Sequence, residues 1–197
     1  MYRLSPHPAT LPVVAEGLSL MWMQLGDGLH QLTFTLENAA RLMVPQPASR
    51  ERADGLWQAT CFELFLRRQA GPGYFEFNFS PSQRWAAYSF EKYREGMAEF
   101  AMAKAPLIQG AFQGDRYLLR VQVSGLPEDM TVASASAVVI EMGLPDPAEP
   151  DGAEADGAGP EGPMVPKASY WSLVHPRAAP DFHHPASFVL PLAPGFR

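Results

Sequence analysis

Two neighbouring segments hold the side chains best able to do chemistry, Trp57-Gln-Ala-Thr-Cys-Phe-Glu-Leu-Phe-Leu and Tyr74-Phe-Glu-Phe-Asn-Phe. In extended backbone, alternate side chains point to opposite faces. Phe62, Leu64 and Leu66 then share one face with a purely apolar character, and Cys61, Glu63 and Phe65 share the other, with Trp57 in the same parity. In the second segment Phe75, Phe77 and Phe79 take the apolar face, while Tyr74, Glu76 and Asn78 look the opposite way. If the two strands pair as a hairpin, Glu63, Glu76 and Asn78 meet on one surface beside Tyr74 and Phe65. Carboxylates and an amide among rings suit a polyhydroxylated ligand, because rings cover its C–H face and polar groups fix its hydroxyls. Arg84 and His183 are candidates to complete the polar set.

Other chemistries compete for the same residues. Glu63 and Glu76 could serve a glycosidase, whose carboxyls stand about 5–5.5 Å apart for retention or about 6.5–9.5 Å for inversion. His175, Asp181, His183 and His184 include imidazoles and a carboxylate that suit a zinc-like ion. Adjacent histidines on extended chain point apart, however, and neither an HExxH helix nor a cysteine pair supports them. No bound metal is expected. Serine catalysis lacks a G-x-S-x-G elbow, and Cys61, the single cysteine, lacks evident activation.

The elements that must position these residues read as strands. Leu29 to Glu37 and Arg116 to Ser124 alternate with period two, and further candidates are Leu18 to Gln24, Trp57 to Arg68, Tyr74 to Ser80, Arg84 to Phe90, Leu107 to Phe112, Thr131 to Met142, Ser169 to Val174 and Ser187 to Leu192. Glu91 to Ala103 fits either a short helix or an irregular crossover. The chain has 20 prolines and 16 glycines, most of them punctuating short apolar runs, which calls for many turns. These features predict an all-β fold, an antiparallel two-sheet β-sandwich of the jelly-roll or immunoglobulin-like kind.

Its 197 residues suit one domain. The net charge of −6 is local: Asp146, Glu149, Asp151, Glu154, Asp156 and Glu161 account for all of it, in a stretch without lysine or arginine. The segment that holds these acids, residues 143–167, is rich in Pro, Gly and Ala and is expected to be a long flexible acidic loop within the single domain. The remainder is neutral and has no basic stripe for phosphate backbones, so nucleic acid is not an expected partner. No run reaches the roughly 20 apolar residues that span a bilayer, and residues 1–10 do not read as a secretory signal. A cytoplasmic protein with no membrane partner is expected.

The runs LWQATCFELFL, YFEFNFSPSQRWAAY, YWSLVHP and PDFHHPASFVL resemble DOMON-like β-sandwich proteins, and more specifically bacterial relatives of the family 9 carbohydrate-binding modules. The resemblance covers about the last three quarters of the chain. It implies two aromatic rings that clamp a sugar, with Trp57 in the place of the first ring and Glu63 in that of the ligand-binding acid. The second ring is a tryptophan in a W-x-D-P context, where this chain has Phe182 in Phe-His-His-Pro. An arginine of the family falls near Glu76, so that cation is missing or replaced in this chain. Some DOMON relatives hold haem on methionine and histidine ligands, for which His30 is a candidate, and structural calcium is a further alternative. Neither cofactor is expected here.

Geometry imposes one condition. Six residues of straight strand span about 20 Å, so Trp57 and Glu63 share a small ligand only if the chain before Cys61 folds back. The expected function is non-catalytic binding of a small carbohydrate or polyol on one sheet face, by Trp57, Glu63, Glu76, Asn78, Arg84, Phe182 and His183. A protein-interaction domain whose exposed face pairs with a partner is the rival from another class.

Overall fold

The structure is a computed structural model that describes residues 1–26, 28–68, 71–145 and 163–193. Twelve strands form it: β1 (Tyr2–Pro6), β2 (Gly17–Gly26), β3 (Leu29–Glu37), β4 (Cys61–Arg67), β5 (Tyr74–Phe79), β6 (Trp85–Phe90), β7 (Ala98–Glu99), β8 (Leu107–Gln113), β9 (Arg116–Ser124), β10 (Val132–Gly143), β11 (Val165–Ser172) and β12 (Leu190–Pro191). Two single-turn 3-10 helices, Leu56–Gln58 and Pro185–Ser187, are the only helices among the described residues. Neither is long and apolar enough to cross a membrane.

All named strand pairs are antiparallel, in the order β7-β6-β5-β4-β10-β11-β1-β2-β3-β9-β8, with β12 beside the start of β10. The two-sheet expectation takes a different form. β1 pairs with β2 through Tyr2 to Leu4 and with β11 through Ser5 and Pro6, so both wings belong to one hydrogen-bonded ladder. The ladder curls until its wings enclose one core. Leu18, Leu20, Leu32, Phe34, Leu119 and Val121 from one wing join Phe62, Leu64, Phe77, Phe79 and Trp171 from the other. The rings of Phe34 and Phe62 meet with centroids 5.0 Å apart. Each such fully buried side chain contributes roughly 2 kcal/mol to burial.

Strand parity follows the alternation. Phe62, Leu64 and Leu66 are buried in the core, opposite Phe79, Phe77 and Phe75. Boundaries differ more. The stretch from Trp57 to Arg68 is not one strand: β4 begins at Cys61, and Leu56–Gln58 is a 3-10 turn. Glu91 to Ala103 is an irregular crossover holding the two-residue β7. Ser187 to Leu192 contributes only Leu190–Pro191 as strand. β1 lies in a proline-bearing terminus whose short alternation gave no signal.

The acidic stretch expected as a loop over 143–167 is corrected at both ends. Gly143 pairs with Val165, Met142 with Pro166 and Glu141 with Lys167. The β10–β11 ladder runs past the change in composition because backbone hydrogen bonds do not depend on the side chains that marked it. Residues 146–162 lie outside the described residues.

Candidate functional site

The non-core face of β4, β5, β6 and β10 is the floor of a cavity of about 610 Å³. Register brings its polar groups together. Glu63 stands opposite Asn78 on β5 and opposite Ser136 on β10, and Glu76 stands opposite Phe65 on β4 and Tyr88 on β6. Glu63 and Glu76 are therefore diagonal cross-strand neighbours on one face.

Both acids are buried, Glu63 at 3% exposure and Glu76 at 7%. The Ser136 hydroxyl donates to Glu63 Oε2 over 2.9 Å, and Asn78 Nδ2 donates to Glu76 Oε1 over 2.7 Å. Burial, and then the charge of Glu76, push the Glu63 carboxyl up to about 8. Burial also raises Glu76, opposed by the Asn78 hydrogen bond and by Arg94. Burial and the neighbouring acid thus both favour the protonated form of Glu63.

Three segments build the walls. The first is the turn before β4. Gly55 takes φ +70°, in the left-handed region that favours glycine, and reverses the chain into the 3-10 turn that carries Trp57. Trp57 is 53% exposed at the rim, and it lines the same cavity as Glu63. The fold-back that a shared ligand requires is present. Beside it, Arg52 Nη2 and the Tyr88 hydroxyl both contact Asp54 Oδ1, and those hydrogen bonds hold the Asp54 carboxyl below its usual range.

The second wall is the crossover after β6. Arg94 takes φ +56°, lines the cavity and places Nη2 3.0 Å from Asp181 Oδ1. The Tyr93 hydroxyl donates to the other oxygen of Asp181 over 2.6 Å. The third wall is the late loop with Pro180, Phe182 and His183, joined by Tyr170 from β11. The rings of Phe182 and Tyr170 lie 6.1 Å apart.

His183 links the walls to the floor. The Tyr74 hydroxyl accepts a hydrogen bond from the Arg94 backbone N–H and shares a second one with His183 Nδ1, 2.8 Å away. On the other side of the ring, Nε2 lies 3.7 Å from Glu76 Oε2. Burial, aided by Arg94, holds the imidazole down to about 4, so it is neutral at pH 7.

Of the residues singled out from sequence, Trp57, Glu63, Glu76, Phe182 and His183 line this cavity. Asn78 lies beneath it as the partner of Glu76. Arg84 does not join them: it is exposed in the β5–β6 turn, where its carbonyl accepts from Ser80, beyond the pairs that form the floor. The four residues weighed as a metal centre disperse. His175 contacts the Ser5 carbonyl, His184 caps the 3-10 turn at Pro185, and Asp181 is taken by Tyr93 and Arg94. Among the described residues, no group of three His, Cys, Asp or Glu could hold a metal ion. His30 is fully buried, its Nδ1 accepting from the Trp22 indole N–H at 3.3 Å.

Asp54, Tyr88, Phe90, Arg94 and Tyr170 were missed. Carrying the alternation of β5 one strand further puts Ala86, Tyr88 and Phe90 on the face of Glu76 and would have found two of them. Arg94 sits in an irregular loop that no periodicity reaches.

No protein-family model matches the sequence, and no curated protein matches it. Among solved structures, the chain is similar to that of a Bacteroides uniformis protein proposed to bind carbohydrate. It shares 15% identity with a TM-score of 0.49, over 94% of this chain and 83% of that one.

Proposed function

We propose that this chain is a non-catalytic module that binds a small polyhydroxylated ligand of the carbohydrate class in the cavity over β4, β5, β6 and β10. The observation that carries the reading is the position of Glu63: a buried carboxyl on the floor of an open, ring-walled cavity of about 610 Å³. Small-ligand sites span about 300–1,000 Å³ and combine apolar walls with a few converging polar groups. A carboxyl without a cation partner is costly to bury, and paired sugar hydroxyls offer it donors.

In this reading Trp57 and Phe182 are the two ring platforms, as the resemblance to family 9 carbohydrate-binding modules implies. Glu63 receives or donates to the ring hydroxyls. Glu76, oriented by Asn78, and His183, oriented by Tyr74, complete the polar set. Arg84 is left out.

A thermal-shift screen of monosaccharides, disaccharides and polyols tests the proposal, because a ligand that binds only the native state raises the melting temperature. Calorimetry on any hit should then show intact ligand bound at one site and weaker binding by Glu63→Gln. A screen without a hit, or a hit whose affinity ignores Glu63→Gln and Trp57→Ala alike, would remove the cavity from consideration.

A further inference from the structure

The charges around the cavity do not balance, and the imbalance is confined to its floor. Asp54 is matched by Arg52 at 2.8 Å, and Arg94 by Asp181 at 3.0 Å. Glu63 has no cationic partner within ion-pair distance among the described residues, and the basic group nearest Glu76 is the neutral His183. Arg94 is the cation whose charge reaches Glu76, and its guanidinium is already matched by Asp181. The Cys61 thiol and the Tyr74 and Tyr88 hydroxyls are all pushed up by burial and stay neutral at pH 7.

One oxygen of the pair is open. Glu63 is 3% exposed and lines the cavity, its Oε2 accepts from Ser136, and its Oε1 has no hydrogen-bond partner among the described residues. The rings of Trp57, Tyr88, Phe90, Tyr170 and Phe182 line the same cavity. Aromatic faces carry negative quadrupole density and attract cations, the more so when water is excluded. A neutral polyol would satisfy Oε1 but leave two buried acids that cannot both ionise. A protonated amine would donate to Oε1, let both carboxyls ionise, and meet ring faces of the sign it prefers.

We infer that the cavity selects a sugar or polyol bearing an ammonium group, which sits between Glu63 and Glu76 while its carbon frame lies against the aromatic walls. This rests on the cavity being the ligand site and adds the charge of the ligand. The cation drives off the proton that the empty site keeps on the acid pair. Binding of an amine therefore releases protons, and its affinity rises with pH while the amine itself stays charged.

The test uses matched probes with the full chain: sorbitol against 1-amino-1-deoxysorbitol, and glucose against glucosamine, by calorimetry at pH 7 in buffers of different ionisation enthalpy. The expected result is an amine that binds roughly tenfold tighter than its neutral partner or better, with net proton release. Glu63→Gln should abolish most of that preference, and circular dichroism should show it folded. Equal or tighter binding of the neutral probes overturns the inference and leaves the polyol reading standing. So does amine binding without proton release whose preference survives Glu63→Gln. If no probe and no sugar in the wider screen binds, both readings fall together.

Discussion

The Tyr74 hydroxyl lies 2.8 Å from His183 Nδ1, joining the floor of the cavity to a loop 109 residues later in the chain. Burial holds the imidazole in its neutral form, and this makes the late loop sensitive to acid. His183 is held to about 4 in the folded chain against 6.5 when free. The unfolded state thus binds more protons between these values. Stability linked to His183 is complete above pH 6.5 and is lost as pH falls toward 4. His183→Gln should flatten the melting temperature profile across that window, and a profile as steep as the parent's would count against the assignment.

Glu63 has the opposite sign. Its carboxyl is raised from 4.5 to about 8, so the folded state holds a proton that the unfolded state has given up. Stability falls as pH rises from 4.5 to 8 and is lowest above that. Glu63→Gln keeps an acceptor for Ser136 and removes the titration. It should raise the melting temperature at pH 9 by about 5 °C and by much less at pH 5, as differential scanning calorimetry would register.

Glu141 is the buried carboxylate that closes the first long connection. Its Oε2 accepts from the Val13 N–H at 2.8 Å, and its Oε1 from the Val14 and Ala15 N–H groups at 3.0 Å each. Removing it strands three backbone donors in a protected site. Glu141→Ala should cost about 4 kcal/mol in urea denaturation, with Glu141→Gln intermediate because the amide keeps one acceptor.

Gly110 on β8 leaves room for the hydroxyl end of the buried Tyr117. An added Cβ would fall 1.9 Å from the Tyr117 oxygen and 2.8 Å from Cζ. The ring is held in the core at 2% exposure and has little freedom to move. Gly110→Ala should destabilise by about 2 kcal/mol. Combining it with Tyr117→Phe should recover part of the loss, since the shortest contact disappears; a strictly additive double mutant would contradict the packing argument.

Trp57 separates binding from stability. It is more than half exposed on a single turn, so Trp57→Ala should leave the melting temperature within about 1 °C of the parent. A ligand found in the sugar screen should nevertheless bind roughly tenfold more weakly to the variant. Equal affinity would mean that the ring lies at the cavity's rim without touching the ligand.

Much of the fold was legible because parity is a local property. Phe62, Leu64, Phe77 and Phe79 went to the core and Glu63, Glu76 and Asn78 to the other face, as alternation requires. The misread places lack such alternation. β1 hides among prolines, β11 begins four residues before the expected start, and the segment around Trp57 turns at a glycine whose φ no period reports.

The site divides the same way. The amino-acid order determined that two acids and an amide would share a face if β4 and β5 paired, because side-chain direction repeats every second residue. Tertiary structure alone decided that Arg94, Asp181, His183 and Tyr170 would stand around that face, that Arg84 would not, and that one long ladder would curl through β1 in place of two separate sheets. Those outcomes depend on contacts between residues far apart in the chain, whose free energies are settled only when the segments meet.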